Sequence, residues 1–460
     1  MITPASSDTR MRLRKVRLLR RSRRVWATRK VWRPRLVFWA GALAIGLVSV
    51  AFAFLADAAQ HAFAAIRATD GLGPLAMLLL PPAGFALSAY LAVTFFPNAQ
   101  GSGIPQAIAA RHLEDAADRG RLLSLRIAAG KILLTLLGLL SGASIGREGP
   151  TVQVGAAIML AAGRFGGMAQ ARGLILAGSA AGIAAAFNTP LAGIVFAIEE
   201  MGRAYEARTN GLVLSAVVLA GLASLALTGN YTYFGESEAV AGSARDWLLV
   251  IACGIIGGAL GAAFSACALR LMRRIKRWTV AVPRRRAVAA AGVCGLLVAL
   301  IGLVSNGATY GTGYEQARGA IEGTALPALF FAEKFAASLV SMVSGIPGGI
   351  FAPSLAVGAG LGSTIGLVLG TGTGLAATLG MAGYFAGVVQ APMTAFVIIL
   401  EMTGNQGNVI PLMLAALLGY GTARLVSGEA LYHSLSRNFV ADVIRTRRAE
   451  ERAREGAPNP

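Results

Sequence analysis

The chain has 460 residues, 55% hydrophobic and only 14% charged, with a net charge of +20 and a mean hydropathy of +0.62. A soluble domain carries about 25% charged residues, so the composition excludes an ordinary soluble protein and points to an integral membrane one. The positive excess does not mark a nucleic-acid binder. It is split into clusters beside apolar runs, and no stacking platform or folded reader domain accompanies it.

Residues 1–35 form a basic leader in which Arg10–Arg35 holds thirteen Lys and Arg interleaved with Val, Leu and Trp. This segment is expected to lie on anionic lipid as an amphipathic helix. It is too long for a cleavable signal peptide, and the apolar run after it is long enough to span. From Leu36–Ala56 onward, apolar runs of spanning length recur nearly to Leu431. They read as one all-α membrane domain over residues 36–436, with a short tail over 437–460. Basic clusters at Arg111–Arg126, Arg270–Arg286 and Arg437–Arg454 flank apolar runs as cytoplasmic loops do. The stretches Gly229–Asp246 and Ser305–Glu322 are poor in Lys and Arg and are expected to face outward. Both termini then lie in the cytoplasm.

Three segments interrupt the apolar runs: GSGIP at Gly101–Pro105, GREGP at Gly146–Pro150 and GGIFAP at Gly348–Pro353. Glycine and proline at this spacing end one helix and start another. Broken backbone at membrane depth is tolerated only where it is buried in protein or lines a cavity. Each helix start aims unpaired N–H groups and a positive dipole end into that cavity. Three or four such starts, at about half a charge each, suit a loosely held monovalent anion.

Ser102 lies inside the first segment, where its hydroxyl can cap a helix or donate to a bound anion. Glu148 stands at the start of the second, next to Arg147. A carboxylate there takes the place of an anion and leaves when protonated, or else it is a plain N-terminal cap. Lys131, inside an apolar helix, is expected to pair with an acid or with backbone carbonyls.

The chain resembles itself. Gly178, Pro190 and Glu199-Glu200 recur at the same spacing as Gly380, Pro392 and Glu401-Met402, and Gly146, Glu148 and Pro150 pair with Gly349, Phe351 and Pro353. Such repeats point to two related halves, residues 36–225 and 245–436. Glu199 aligns with Glu401 and is expected to be structural. Glu200 has no counterpart, which fits either a one-sided task such as proton transfer or a hydrated carboxylate near Arg203. Tyr432 reads on its own as an interfacial aromatic anchor. Cys253, Cys267 and Cys294 lack CxxC spacing, and His61, His112 and His433 are scattered, so neither a metal nor a cofactor is expected. An enzyme is not expected either, because Ser102 has no nearby histidine base.

GSGIP, GREGPTVQVG, GGIFAPSLAVGA and ALY at Ala430–Tyr432 resemble, in order, the four signature segments of the CLC chloride channel and transporter family. The resemblance implies a homodimer with one pore per subunit, each subunit built of two inverted halves of tilted, broken helices. It also implies a proton-coupled chloride antiporter of a prokaryotic inner membrane, with a passive chloride channel as the alternative. By resemblance Ser102 and Tyr432 place hydroxyls on chloride, Ile350 and Phe351 add backbone N–H groups, Glu148 is the gate, and Glu200 is the inner proton-transfer glutamate. Ser102 stands where nitrate-preferring relatives carry proline, which favours chloride. Gln106 and Ile108 depart from acids common in the family, which is expected to thin the acidic side of the inner vestibule or the subunit contacts. With 28 residues after Tyr432, no nucleotide-binding tail is expected.

Overall fold

A computed structural model describes residues 29–71, 73–202, 210–229, 231–235, 239–280 and 282–455. The expected amphipathic helix of the leader falls largely outside the described residues, as does Arg203.

The first half comprises α1 (Arg29–Arg67), α2 (Gly73–Thr94), α3 (Ile104–His112), the short α4 (Ala116–Leu122), α5 (Leu125–Leu140), α6 (Glu148–Gly166), α7 (Ala171–Phe187), α8 (Pro190–Phe196) and α9 (Asn210–Thr228). The second comprises α10 (Ala244–Thr279), α11 (Pro283–Val304), α12 (Tyr314–Ile321), α13 (Phe330–Val343), α14 (Phe351–Leu369), α15 (Thr373–Val389), α16 (Pro392–Thr403) and α17 (Val409–Val426). A final helix, α18 (Leu431–Glu455), runs through the 436–437 boundary without a break. Among the described residues, eight helical segments are long and apolar enough to cross a membrane, and α7, α15 and α16 are shorter apolar helices. Large side chains such as Leu36, Phe54, Val368 and Leu425 are exposed on them. That outer face suits lipid and is costly in water.

The halves match helix by helix. Both α2 and α11 have 22 residues, with Gly73 and Thr94 answering Pro283 and Val304. Both α6 and α14 have 19, and both α7 and α15 have 17. The register between halves shifts after α3 because α4, a seven-residue helix, has no counterpart. Close backbone packing repeats as well. A Cβ on Gly178 would sit 2.4 Å from the carbonyl oxygen of Gly155, and one on Gly380 would sit 2.2 Å from that of Gly358. Only hydrogen fits there, as expected where helices associate through small residues.

The two halves also grip each other reciprocally. Gly146 N–H donates to Gly349 O and Gly349 N–H to Gly146 O, both at 2.7 Å, in an antiparallel bridge. The Glu199 carboxylate accepts from the N–H groups of Met393 (3.1 Å) and Thr394 (2.6 Å) at the start of α16. The Glu401 carboxylate accepts from Leu191 (3.0 Å) and Ala192 (2.7 Å) at the start of α8. Each carboxylate thus caps the opposite half's helix and meets its positive end. Contacts in which i meets j and the counterpart of j meets the counterpart of i define a twofold axis. An axis of this kind lying in the membrane plane makes the repeat inverted.

Candidate functional site

The three glycine segments meet at the centre of the chain. Gly101 and Gly103 have φ of 70° and 103°, a left-handed backbone that glycine adopts without strain. This bend turns the chain into α3, with Pro105 in its first turn. The first segment is laced to the third, with Gly101 N–H donating to Ile346 O (3.2 Å) and Gly348 N–H to Gly101 O (3.1 Å). The third is laced to the second through the Gly146–Gly349 bridge. The starts of α3, α6 and α14 therefore converge. A Cβ on Gly149 would lie 2.3 Å from Ser102 Oγ and 3.2 Å from Gly349 Cα.

Gln106 corrects one expectation. It does not line the inner vestibule but is fully buried beneath the first segment. Its Oε1 accepts from Gly103 N–H (3.1 Å), and its Nε2 donates to Gln100 O (2.6 Å) and Asn98 O (3.3 Å). An amide meets both demands, whereas a carboxylate has no N–H to give. Ile108 is buried with no exposed surface, so neither departure touches a vestibule or a subunit contact.

Ser102 makes no cap hydrogen bond in the structure. Its hydroxyl and that of Tyr432 are both buried without a hydrogen-bond partner, and the two side chains lie close together. Tyr432 is in the first turn of α18, not at an interface. Its ring rests 6.0 Å from that of Phe351, which is enclosed by Phe385, Phe196 and Phe187. Ile350 and Phe351 form the N-cap and first residue of α14, where backbone N–H groups have no acceptor within the helix. Two buried hydroxyls and the start of α14 thus lie together among aromatic rings.

Glu148 opens α6 where Phe351 opens α14. Its side chain is fully buried and folds back over Gly146, where a Cβ would strike Oε2 at 2.2 Å. Both carboxylate oxygens lack a partner in hydrogen-bond geometry, and the nearest amides are its own and that of Ala352. Arg147 is engaged elsewhere, donating to Ala53 O (2.7 Å) and Asp57 Oδ1 (3.0 Å). An unpaired buried acid is costly, so the carboxylate is poised to respond to a proton or an anion.

Glu200 sits on a six-residue π-helical turn, Ala197–Gly202, that follows α8. Such turns often mark functional positions because they re-aim side chains. Glu200 is buried at 3% exposure, so it is not a hydrated end-of-helix acid. Its Oε1 lies 3.4 Å from His433 Nδ1 on α18. Glu199, one residue earlier, points away to its capping role.

Two cavities flank this cluster. One, of about 680 Å³, reaches Arg147 and is lined by Asp57, Tyr233, Gly307 and Tyr314 among others. The stretches expected to face one side, near 229–235 and 305–316, share it. The other, of about 570 Å³, reaches His433 and is lined by His112, Met201 and Arg437.

Sequence reasoning missed a second pair of repeats. Lys131 donates to Gly101 O (2.8 Å) and Gln100 O (3.4 Å), and Lys334 donates to Gly311 O (2.8 Å) and Thr309 O (2.9 Å). Both lysines are buried and bind the loop before a broken helix, α3 in one half and α12 in the other. Gly311 and Gly313 have φ of 66° and 80°, close to Gly101 and repeating the turn of Gly103. The sequence signal was present as GTG before Tyr314, matching GSG before Ile104.

The architecture is that of a polytopic helical membrane protein in which buried polar groups without hydrogen-bond partners gather where helix starts of its two inverted halves meet. Residues 84–424 match the family model described as voltage gated chloride channel. Curated relatives include the H(+)/Cl(-) exchange transporter ClcA of Yersinia pestis, 32% identical over 415 residues and covering 83% of this chain and 84% of that one. The protein of the same name from Salmonella paratyphi A is 32% identical over 427 residues, covering 85% of each. The fold is similar to that of a slow cyanobacterial Cl-/H+ antiporter, with a TM-score of 0.78, 24% identity and coverage of 89% of this chain and 98% of that one. It is also similar to a CLC-type fluoride/proton antiporter, with a TM-score of 0.72, 24% identity and coverage of 87% and 96%. The chain belongs to the voltage-gated chloride channel family, the CLC family.

Proposed function

We propose that the protein exchanges chloride for protons across a prokaryotic inner membrane, as a homodimer embedded in lipid with both termini in the cytoplasm. The observation that carries this reading is the set of buried, unpartnered polar groups at the meeting of the helix starts: Ser102 Oγ, Tyr432 OH and both oxygens of Glu148. Hydroxyl donors and helix starts solvate an anion without a fixed counter-charge, so it binds and leaves. Chloride sits between Ser102, Tyr432 and the N–H groups of Ile350 and Phe351. The Glu148 carboxylate competes for the same positive end. Protonation removes its charge and releases it, so chloride and proton take turns. Glu200, buried beside His433, supplies the inner proton. The relatives named as H(+)/Cl(-) exchangers support this reading, as do the basic segments on the Glu200 side for the orientation.

The test is reconstitution into liposomes with a chloride gradient and no proton gradient. Protons are expected to move uphill, opposite to chloride. Chloride flux with no pH change identifies a passive channel instead.

A further inference from the structure

Glu200 has almost no exposed surface, so protons need a route to it. The adjoining cavity of about 570 Å³ does not have Glu200 in its lining; it is lined by His433 and by Met201 and Gly202, the neighbours of Glu200 in the π-helical turn. His433 spans the gap. Its side chain is 13% exposed and lines the cavity, while Nδ1 is buried 3.4 Å from Glu200 Oε1. Among the described residues neither atom has a hydrogen-bond partner. Tyr432, the residue before it, faces the anion site. Successive residues at one helix start thus face the anion and the acid.

We infer that His433 is the proton relay between the inner cavity and Glu200. The inference rests on the exchanger reading above. Imidazole is the side chain that gains and loses a proton near neutral pH. Cavity water protonates the ring to imidazolium. The Nδ1 proton then passes to the Glu200 carboxylate, leaving a neutral ring and a neutral carboxyl. The ring turns its Nδ1 edge to the cavity and exchanges with water before the next cycle. In the reverse direction the same steps release a proton.

Charged and titratable groups surround the ring from three elements. Glu200 faces it from the π-helical turn at 3.4 Å. His112 at the end of α3 lies near it, and Arg437 on α18 shares its cavity. Arg111 is held by a hydrogen bond from Nη1 to Met201 O, His112 and Arg437 line the cavity, and Arg172 acts on His112 from α7. No carboxylate lines this cavity among the described residues.

The experiment compares His433→Asn and His433→Ala with the wild type in liposomes, with chloride and proton fluxes recorded together. Retained chloride binding by calorimetry shows that each variant is folded. Proton movement is expected to fall at least tenfold, with chloride flux continuing and the proton-to-chloride ratio dropping. In His433→Ala, free imidazole in the buffer is expected to restore proton movement, and the dependence on inner pH between 6 and 8, roughly the range in which histidine titrates, is expected to flatten. A variant that moves protons at the wild-type rate overturns the relay. So does a loss that imidazole does not rescue and that keeps the wild-type pH profile, since that marks a structural role. A wild-type protein that moves chloride without protons overturns the exchanger reading itself, and the relay with it.

Discussion

The two halves of this molecule share one scaffold and differ at a few points. Glu199 and Glu401 are equivalent and perform the same task, each capping the other half's helix. Lys131 and Lys334 are equivalent and each ties down a glycine loop. Glu148 and Glu200 have Phe351 and Met402 as counterparts. Of these four acids, the two present in both halves cap helices, and the two present in one are those proposed above for chemistry. The symmetric carboxylates are fully hydrogen-bonded, whereas both Glu148 oxygens and Glu200 Oε1 are buried without a hydrogen-bond partner.

That division predicts different phenotypes for chemically identical changes. The largest effect is expected at Glu148. Glu148→Ala should keep chloride flux, abolish proton coupling and erase the rise in flux on acidification, and Glu148→Gln should mimic the protonated state. Paired pH and chloride electrodes on liposomes check this, and proton pumping by either variant places the gate elsewhere. Next, Glu200→Gln should lower proton flux by about 100-fold or more, the scale of a lost proton-transfer group. Chloride affinity by calorimetry should stay near the wild-type value, and a normal exchange rate hands the inner step to another acid.

The symmetric pair should behave in the opposite way. Glu199→Ala and Glu401→Ala each remove a cap worth about 2 kcal/mol. Both should lower thermal stability in detergent to a similar degree while leaving the proton-to-chloride ratio intact. A change of ratio in only one of them breaks the equivalence. The smallest effect is expected at Ser102. Its hydroxyl contributes about 0.5–1.5 kcal/mol, so Ser102→Pro should raise nitrate relative to chloride by about two- to tenfold in competition flux assays. An unchanged ranking makes Ser102 a loop residue only.

Much of this division was readable in the sequence. The matched spacing of Gly178, Pro190 and Glu199 with Gly380, Pro392 and Glu401 corresponds to α7–α8 and α15–α16 almost residue for residue. That is because glycine contacts and proline starts fix both spacing and packing. The pairing of Gly101 with Gly311 was hidden, since α4 shifts the register between the halves and a lone Gly-x-Gly is a weak signal. Gln106 was misread because its partners, Asn98, Gln100 and Gly103, depend on how a loop folds over it. The contact of His433 with Glu200 joins residues more than two hundred positions apart and has no local signature. It exists because α18 returns to the centre and the π-helical turn swings Glu200 toward it.

The reciprocal capping by Glu199 and Glu401 also bears on biogenesis. As the chain is threaded into the bilayer, α8 enters long before the residue that satisfies its first amides has been synthesised. Until Glu401 arrives, the N–H groups of Leu191 and Ala192 have no native partner in a medium that offers few substitutes. The glycine bridge between Gly146 and Gly349 waits in the same way. Neither half can close alone, so the insertion intermediate is held open until the last third of the chain is made. A truncated first half is expected to be bound by quality-control factors instead of accumulating as an independent domain.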